Sequence, residues 1–138
     1  KVVQCKAVEE LVRNSDIICT TTPSTTPVLP DDKELLRGKC IIAIGSYMPE
    51  MREIPDAVLD LVDNVYIELP YACEESGDLS QPLASGKLTK DRIKLMHEYL
   101  VSGEKEIKEG QTTYFKSVGM GLFDVCIAQK LYEVAKEK

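Results

Sequence analysis

The sequence predicts an α/β fold built on an open parallel sheet, and three observations carry that expectation. Short β-rich runs alternate with amphipathic helical runs at the spacing of βαβ units. The runs that read as strands are apolar on consecutive positions, as strands covered on both faces are. The chain has 138 residues, 43% hydrophobic and 29% charged, the composition of a globular domain and not of a disordered segment. A chain of this length buries roughly 68–70% of its unfolded surface, enough for one core.

Each element has its own local reason. Val2, Val3, Gln4 and Cys5 read as a first strand. Residues 7–13 carry Val8, Leu11 and Val12 at i, i+3 and i+4, a helical face closed by Asn14 and Ser15. Residues 16–19 are the next strand. Residues 30–36 make a short helix, with Pro30 at its start, acids in its first turn and Gly38 beyond its end. A strand over 39–44, a helix over 55–62 and a strand over 65–68 continue the alternation. From Pro70 the rhythm changes to a short helix over 70–75 and a Gly/Ser/Pro-containing loop through Gly86. A helix over 91–100 follows, then a charged, exposed stretch over 103–110. Residues 112–115 are an extended entry to a long helix over 120–136. Asp124 is the only charge between Ser117 and Gln129, so the first half of that helix is expected to be buried nearly all round.

Composition excludes several classes. Asp and Glu number 23 against 17 Lys and Arg, a net charge of −6 with no basic stripe, so no nucleic-acid partner is expected. The longest uncharged apolar run, residues 40–44, is too short to span a bilayer, and no membrane partner is expected. Cys5, Cys19, Cys40, Cys73 and Cys126 are widely spaced and mostly set among apolar neighbours, without a C-x-x-C pair or Cys/His ligand spacing. Reduced, mostly buried thiols in a cytoplasmic protein are therefore expected, and no metal site.

In an open parallel sheet, ligands bind outside the carboxyl ends of the strands. After the strand over 16–19 comes Thr20-Thr21-Thr22-Pro23-Ser24-Thr25-Thr26-Pro27, in which six of eight residues carry hydroxyls. After the strand over 39–44 comes Gly45-Ser46-Tyr47-Met48-Pro49, where Gly45 admits close approach of a ligand to the backbone. Hydroxyls, N–H groups and a glycine at adjacent strand ends suit a ribose or phosphate edge; the same residues also serve as turns and caps. A dinucleotide site needs in addition a glycine-rich turn, and no G-x-G-x-x-G occurs in these residues. Either the chain binds no dinucleotide or a first βαβ unit lies outside it. The opening at Lys1-Val2-Val3, already extended, favours the second.

Four blocks share one order and spacing. They are Ser15-Asp16-Ile17-Ile18-Cys19-Thr20-Thr21-Thr22-Pro23-Ser24, then Ile44-Gly45-Ser46-Tyr47-Met48-Pro49-Glu50-Met51-Arg52-Glu53-Ile54, then Glu75-Ser76-Gly77-Asp78, then Thr113-Tyr114-Phe115-Lys116-Ser117-Val118-Gly119. Over nearly the whole chain they resemble the ornithine cyclodeaminase/mu-crystallin family. The resemblance implies the later half of a Rossmann-type NAD(P)-binding domain over 1–67, and over 68–138 a return segment toward a dimerisation and substrate domain. It implies NAD or NADP as cofactor, a small amino or imino acid as substrate, and a homodimer. By motif, Thr20, Thr21, Thr22, Pro23 and Ser24 line the nicotinamide-side ribose. Gly45 and Ser46 approach the nicotinamide, Ser117 and Val118 close the other side of that ring, and Glu75 faces the substrate.

One departure bears on the reaction. In the cyclodeaminase and alanine-dehydrogenase branches the loop resembles Gly-x-Asp-x-Pro-Gly-Lys, with the Asp as catalytic acid/base. Here Tyr47 stands at that Asp, and Glu50-Met51 at Gly-Lys. A phenol ionising near about 10 does not replace a carboxylate as base at neutral pH. Ornithine deamination is thereby disfavoured against imine reduction, and the catalytic residue is left open; a non-enzymatic binder of the crystallin type is the further alternative. From the residues alone, Glu75 and Asp78 read as a solvated helix end with Gly77 as its C-cap, Lys116 as a surface lysine and His97 as a surface residue. Arg52 and Glu53 read as caps or charge partners, and Cys73 as no nucleophile. Without the pyrophosphate site, these residues by themselves are expected neither to bind NAD(P) tightly nor to catalyse.

Overall fold

The computed structural model describes residues 2–103 and 107–137. Its strands are β1 (Ile17–Thr20), β2 (Cys40–Ala43), β3 (Val65–Ile67), β4 (Ile93–Leu95) and β5 (Thr113–Lys116). They form one sheet of order β1-β2-β5-β3-β4, with every pairing parallel. The register aligns Ile18, Ile41, Tyr114 and Val65 in one row, and Thr20, Ala43, Lys116 and Ile67 in the next. Alternation puts both rows on one face, and all of these residues are buried.

Helices α1 (Val8–Arg13), α2 (Lys33–Leu36), α3 (Asp56–Leu61), α4 (Ala72–Glu75) and α5 (Gly77–Ser85) share that core through Val12, Leu36, Val58, Ala72 and Leu79. Their ends are chemically specified. Asp32 Oδ1 accepts from the N–H groups of Glu34 (2.9 Å) and Leu35 (3.2 Å), capping α2. The Arg92 guanidinium donates to Leu59 O and Val62 O, both at 2.6 Å, and so satisfies carbonyls at the end of α3. On the opposite face the Tyr66 ring meets Tyr99 of α6 (Met96–Ser102), with centroids 5.1 Å apart.

Several expectations change here. The segment over 2–5 is no strand: Val2, Val3 and Gln4 are exposed, and no strand among the described residues lies beside it to supply hydrogen bonds. Strand β1 is covered on one face only, with Ile17 66% exposed and Cys19 exposed. The loop expected through Gly86 is largely α5. Ser76 caps it, accepting from Asp78 N at 3.3 Å, and buried Leu79 anchors it despite Pro82 within the helix. The helix expected over 91–100 is divided. Its start is a short 3-10 turn, Lys90–Arg92, and then β4, an edge strand formed by pairing with β3 that no local preference foretells.

Residues 112–115 do more than lead into a helix, since β5 sits in the middle of the sheet between β2 and β3. Two of the five strands thus come from the part beyond residue 67. The last helix, α7 (Gly121–Lys136), is exposed along its length instead of buried in its first half. The cysteines are not mostly buried: Cys19 and Cys126 are exposed, and Cys5, Cys40 and Cys73 are half-buried. Within the charged stretch over 103–110, residues 104–106 lie outside the described residues. No described helix is long and apolar enough to cross a membrane.

Candidate functional site

The carboxyl ends of β1, β2, β5 and β3 lie side by side, and they bring the sequence-derived candidates together. Ile44 N donates to Thr20 O (2.9 Å), tying the turn after β2 to the end of β1, and Ser117 N donates to Ala43 O (3.0 Å), tying the turn after β5 to β2. Glu75 lies on α4, half-buried, and accepts from the Tyr71 hydroxyl at 3.3 Å. Its neighbour Ser76 reaches Ser46, with the two hydroxyl oxygens 2.8 Å apart.

Beneath these turns runs a buried polar network. Glu53 is fully buried and receives three hydrogen bonds from two turns. Its Oε1 accepts from Thr22 N (2.6 Å), and its Oε2 accepts from the Thr20 hydroxyl (2.9 Å) and from Gly45 N (2.8 Å). Asp78 Oδ1 in turn accepts from Glu53 N (2.7 Å) and Ile54 N (2.9 Å). Asp78 Oδ2 is 3.7 Å from Lys116 Nζ, which donates to Ala43 O at 3.3 Å. Both side chains of that pair are wholly enclosed. Burial pushes the Asp78 carboxyl above its ordinary range, against the pull of the Ile54 and Glu53 N–H groups and of Lys116. Burial likewise lowers the Lys116 ammonium, against Asp78, Glu53 and Glu68. Both shifts favour the neutral forms, so desolvation outweighs attraction here.

A second clasp closes the turn after β5. Glu68 Oε1 accepts from the Ser117 hydroxyl (2.9 Å), Val118 N (2.6 Å) and Gly119 N (3.1 Å). Between the two clasps, Tyr114 shares the Lys116 face of β5. Burial first, then the charges of Asp78 and Glu53, push its phenol well above the ordinary range.

Several of the hydroxyls have partners within the protein itself. Thr20 and Ser117 bind Glu53 and Glu68, and the Ser46 hydroxyl donates to Met51 O at 2.8 Å. Ser24 N donates to Thr22 Oγ1 (3.4 Å), and the Ser24 hydroxyl donates to Thr26 O (2.6 Å). The hydroxyls build the turns, and Thr21, Pro23 and Tyr47 stand outside them, exposed. Gly45 has a reason within the protein too. A Cβ there would lie 2.2 Å from Thr22 N and O and 2.6 Å from Glu53 Oε1, so the close approach expected of a ligand is made by the neighbouring turn.

Asp78 and Lys116 are therefore neither solvated end nor surface lysine. Arg52 is a charge partner as expected, paired with the Asp56 carboxylate and donating to Ile54 O at 3.1 Å. His97 is exposed on α6. Burial pushes the Cys73 thiol up, against a smaller pull from Lys90, which fits no nucleophile. Sequence reasoning missed Glu53 and Glu68 as clasps. The available signal for Lys116 was its two-residue spacing from Tyr114 on a strand that turned out to be central.

Comparison with known proteins adds the family. A model described as the ornithine cyclodeaminase/mu-crystallin family matches residues 1–138. Delta(1)-pyrroline-2-carboxylate reductase of Bacillus cereus is 38% identical over 132 residues, covering 94% of this chain and 40% of that protein. Ketimine reductase mu-crystallin of Rattus norvegicus is 33% identical over 129 residues, covering 94% of this chain and 39% of that protein. The structure of Thermococcus litoralis Delta(1)-pyrroline-2-carboxylate reductase, in complex with NADH and L-proline, superposes with a TM-score of 0.79 at 25% identity. That match covers 96% of this chain and 42% of that one. The chain thus spans about 40% of the length of the curated relatives it matches.

Proposed function

The chain belongs to the ornithine cyclodeaminase/mu-crystallin family, and from that premise we propose that the whole protein is an NAD(P)-dependent oxidoreductase of small amino or imino acids, of the ketimine-reductase kind. The observation that carries the reading is the row of strand-end turns over 20–24, 45–46 and 117–118, pinned from below by Glu53 and Glu68. A pinned wall of this kind orients a flat ring without rearranging. In this reading the turns over 20–24 and 45–46 flank the nicotinamide and its ribose, Ser117 and Val118 close the far side, and Glu75 faces the substrate.

The residues fit one end of a dinucleotide and not the other. The fixed turns with Thr21 and Pro23 outermost suit the nicotinamide end. A glycine-rich helix start for the pyrophosphate has no counterpart within residues 1–138. When bound, NAD(P)H supplies the hydride that reduces the carbon of a C=N bond, while the nitrogen gains a proton. Because Val118 N is committed to Glu68, that wall offers the ring its side chain and carbonyl, not this N–H. Tyr47, exposed at the mouth of the turns, supplies no carboxylate base, which favours imine reduction over deamination of ornithine.

The reading includes a cytoplasmic homodimer, in which α7 leads out of the dinucleotide domain after residues 68–138 have added β4 and β5 to its sheet. The test is oxidation of NADH and NADPH by the whole protein with Δ1-pyrroline-2-carboxylate. Saturable turnover supports it. Ammonia release from L-ornithine without net cofactor oxidation would replace it with the cyclodeaminase reading, and tight cofactor binding without turnover would replace it with a binder.

A further inference from the structure

We propose that Glu53 is the positioning residue of the cofactor wall: it fixes the turn after β1 against the turn after β2, and through Thr22 and Gly45 sets where the nicotinamide ring comes to rest. The inference rests on the oxidoreductase reading for its consequence, and on geometry alone for its cause. Three donors from the end of β1 and the turns after β1 and β2 converge on one carboxylate, Thr22 N at 2.6 Å, Gly45 N at 2.8 Å and the Thr20 hydroxyl at 2.9 Å. An ionised acceptor makes each bond roughly twice as strong as a neutral one, and burial keeps water from competing.

Its own placement is fixed from behind. The N–H groups of Glu53 and Ile54 both end on Asp78 Oδ1, and Asp78 Oδ2 faces Lys116. Displacement at β5 or at the start of α5 thereby reaches both turns through Glu53, beside the direct ties of Ser117 N to Ala43 O and of Ser76 to Ser46. Gly45 makes the arrangement intolerant of slack, since Thr22 passes where a Cβ would stand. Glu53 has no exposed surface, so it acts through Thr22 and Gly45 and touches no ligand.

The variant is Glu53→Gln in the whole protein, which keeps the shape but has one oxygen in place of two. Whichever way the amide turns, at least one donor loses its acceptor. Amide hydrogen exchange at Thr22 or Gly45 is expected to accelerate by about tenfold or more while Ile42, in mid-strand, is unchanged. In the imine assay kcat is expected to fall about tenfold to a hundredfold, with KM for the imine within about twofold, because misorientation of the ring costs the chemical step and not substrate capture. The hydride isotope effect from 4-deuterated cofactor should grow in step. Thr20→Val removes a single donor and should give a smaller change of the same kind; Arg52→Gln, next door but paired to Asp56, should leave kcat unaltered.

Unchanged exchange at both amides would overturn the inference, as would a kcat loss accompanied by an equal rise in KM and general acceleration of strand amides. A wild-type protein that oxidises no NAD(P)H would sink the functional reading instead, and amide exchange would still decide whether Glu53 holds the turns.

Discussion

The strand ends and the last helix are built in opposite senses. Beneath the turns, Glu53, Asp78 and Lys116 lie inside with no exposed surface, whereas on α7 Leu122, Phe123, Val125, Ile127 and Leu131 lie outside. Burying charge is costly unless it is paired and hydrogen-bonded; Glu53 receives three hydrogen bonds, whereas Asp78 Oδ2 accepts none and has only Lys116 at 3.7 Å to offset its burial. Exposing a run of apolar side chains on one helix leaves surface that water disfavours. The contrast teaches which region completes itself. The strand-end turns are pinned by bonds within these residues, while α7 presents an apolar surface that nothing among the described residues covers.

The largest effect should come from breaking the inner region. Lys116→Met leaves Asp78 buried without its cation, at a cost of about 3–5 kcal/mol at neutral pH. The pH dependence has a definite sign. Asp78 already has a raised carboxyl pKa in the folded protein, and losing Lys116 raises it further. The folded state then binds the proton more tightly than the unfolded chain, so the penalty is full above the folded pKa and shrinks as pH falls from there toward the ordinary carboxylate pKa of the unfolded chain. Urea unfolding of Lys116→Met at acidic and neutral pH should show this, and adding Asp78→Asn should recover much of the loss. Equal penalties at both pH values would mean that Asp78 carries no charge at neutrality.

Gly45→Ala comes next. Its methyl would meet the Thr22 backbone, which cannot swing away like a side chain, and overpacking of that kind costs about 1–3 kcal/mol. Chemical denaturation checks it, and a neutral result would show that the two turns part easily. At the other end of the scale stands α7. Val125→Ser removes a methyl-rich side chain that is 63% exposed, and should leave the unfolding free energy of the 138-residue chain within about 0.5 kcal/mol. In the whole protein the same change should weaken dimerisation in sedimentation. A large stability loss in the isolated chain would place α7 in the core after all. The isolated chain should also show little affinity for NADH or NADPH by calorimetry; micromolar binding would mean that the pyrophosphate site is dispensable.

How far the sequence foretold this contrast depends on the range of the interactions. Strands β1, β2 and β3 and helices α1, α2 and α3 were legible, because their apolar periods and caps are local. So was the family, through four blocks whose order survives over the whole chain. The places of β4 and β5 were not, since both are set by pairing with strands far away in sequence. That single omission hid most of the site chemistry: with β5 read as a mere lead-in, Lys116 looked superficial and Asp78 had no partner. The burial expected of the first half of α7 was read from its composition alone, and among the described residues the helix is exposed along its length. In the hydroxyl-rich turn after β1, the Thr20 hydroxyl serves Glu53, and the Thr22 and Ser24 hydroxyls bond neighbouring backbone groups.

A crystal structure of the whole protein with bound NADH tests the strand-end wall most directly. The nicotinamide ring is predicted to lie against the turns over 20–24 and 45–46, with Ser117 and Val118 on its far side and the Glu53 bonds to Thr22 and Gly45 unchanged. A ring seated elsewhere, for instance over β4 at the other edge of the sheet, or a Glu53 carboxylate that leaves those two N–H groups when the cofactor binds, would contradict it.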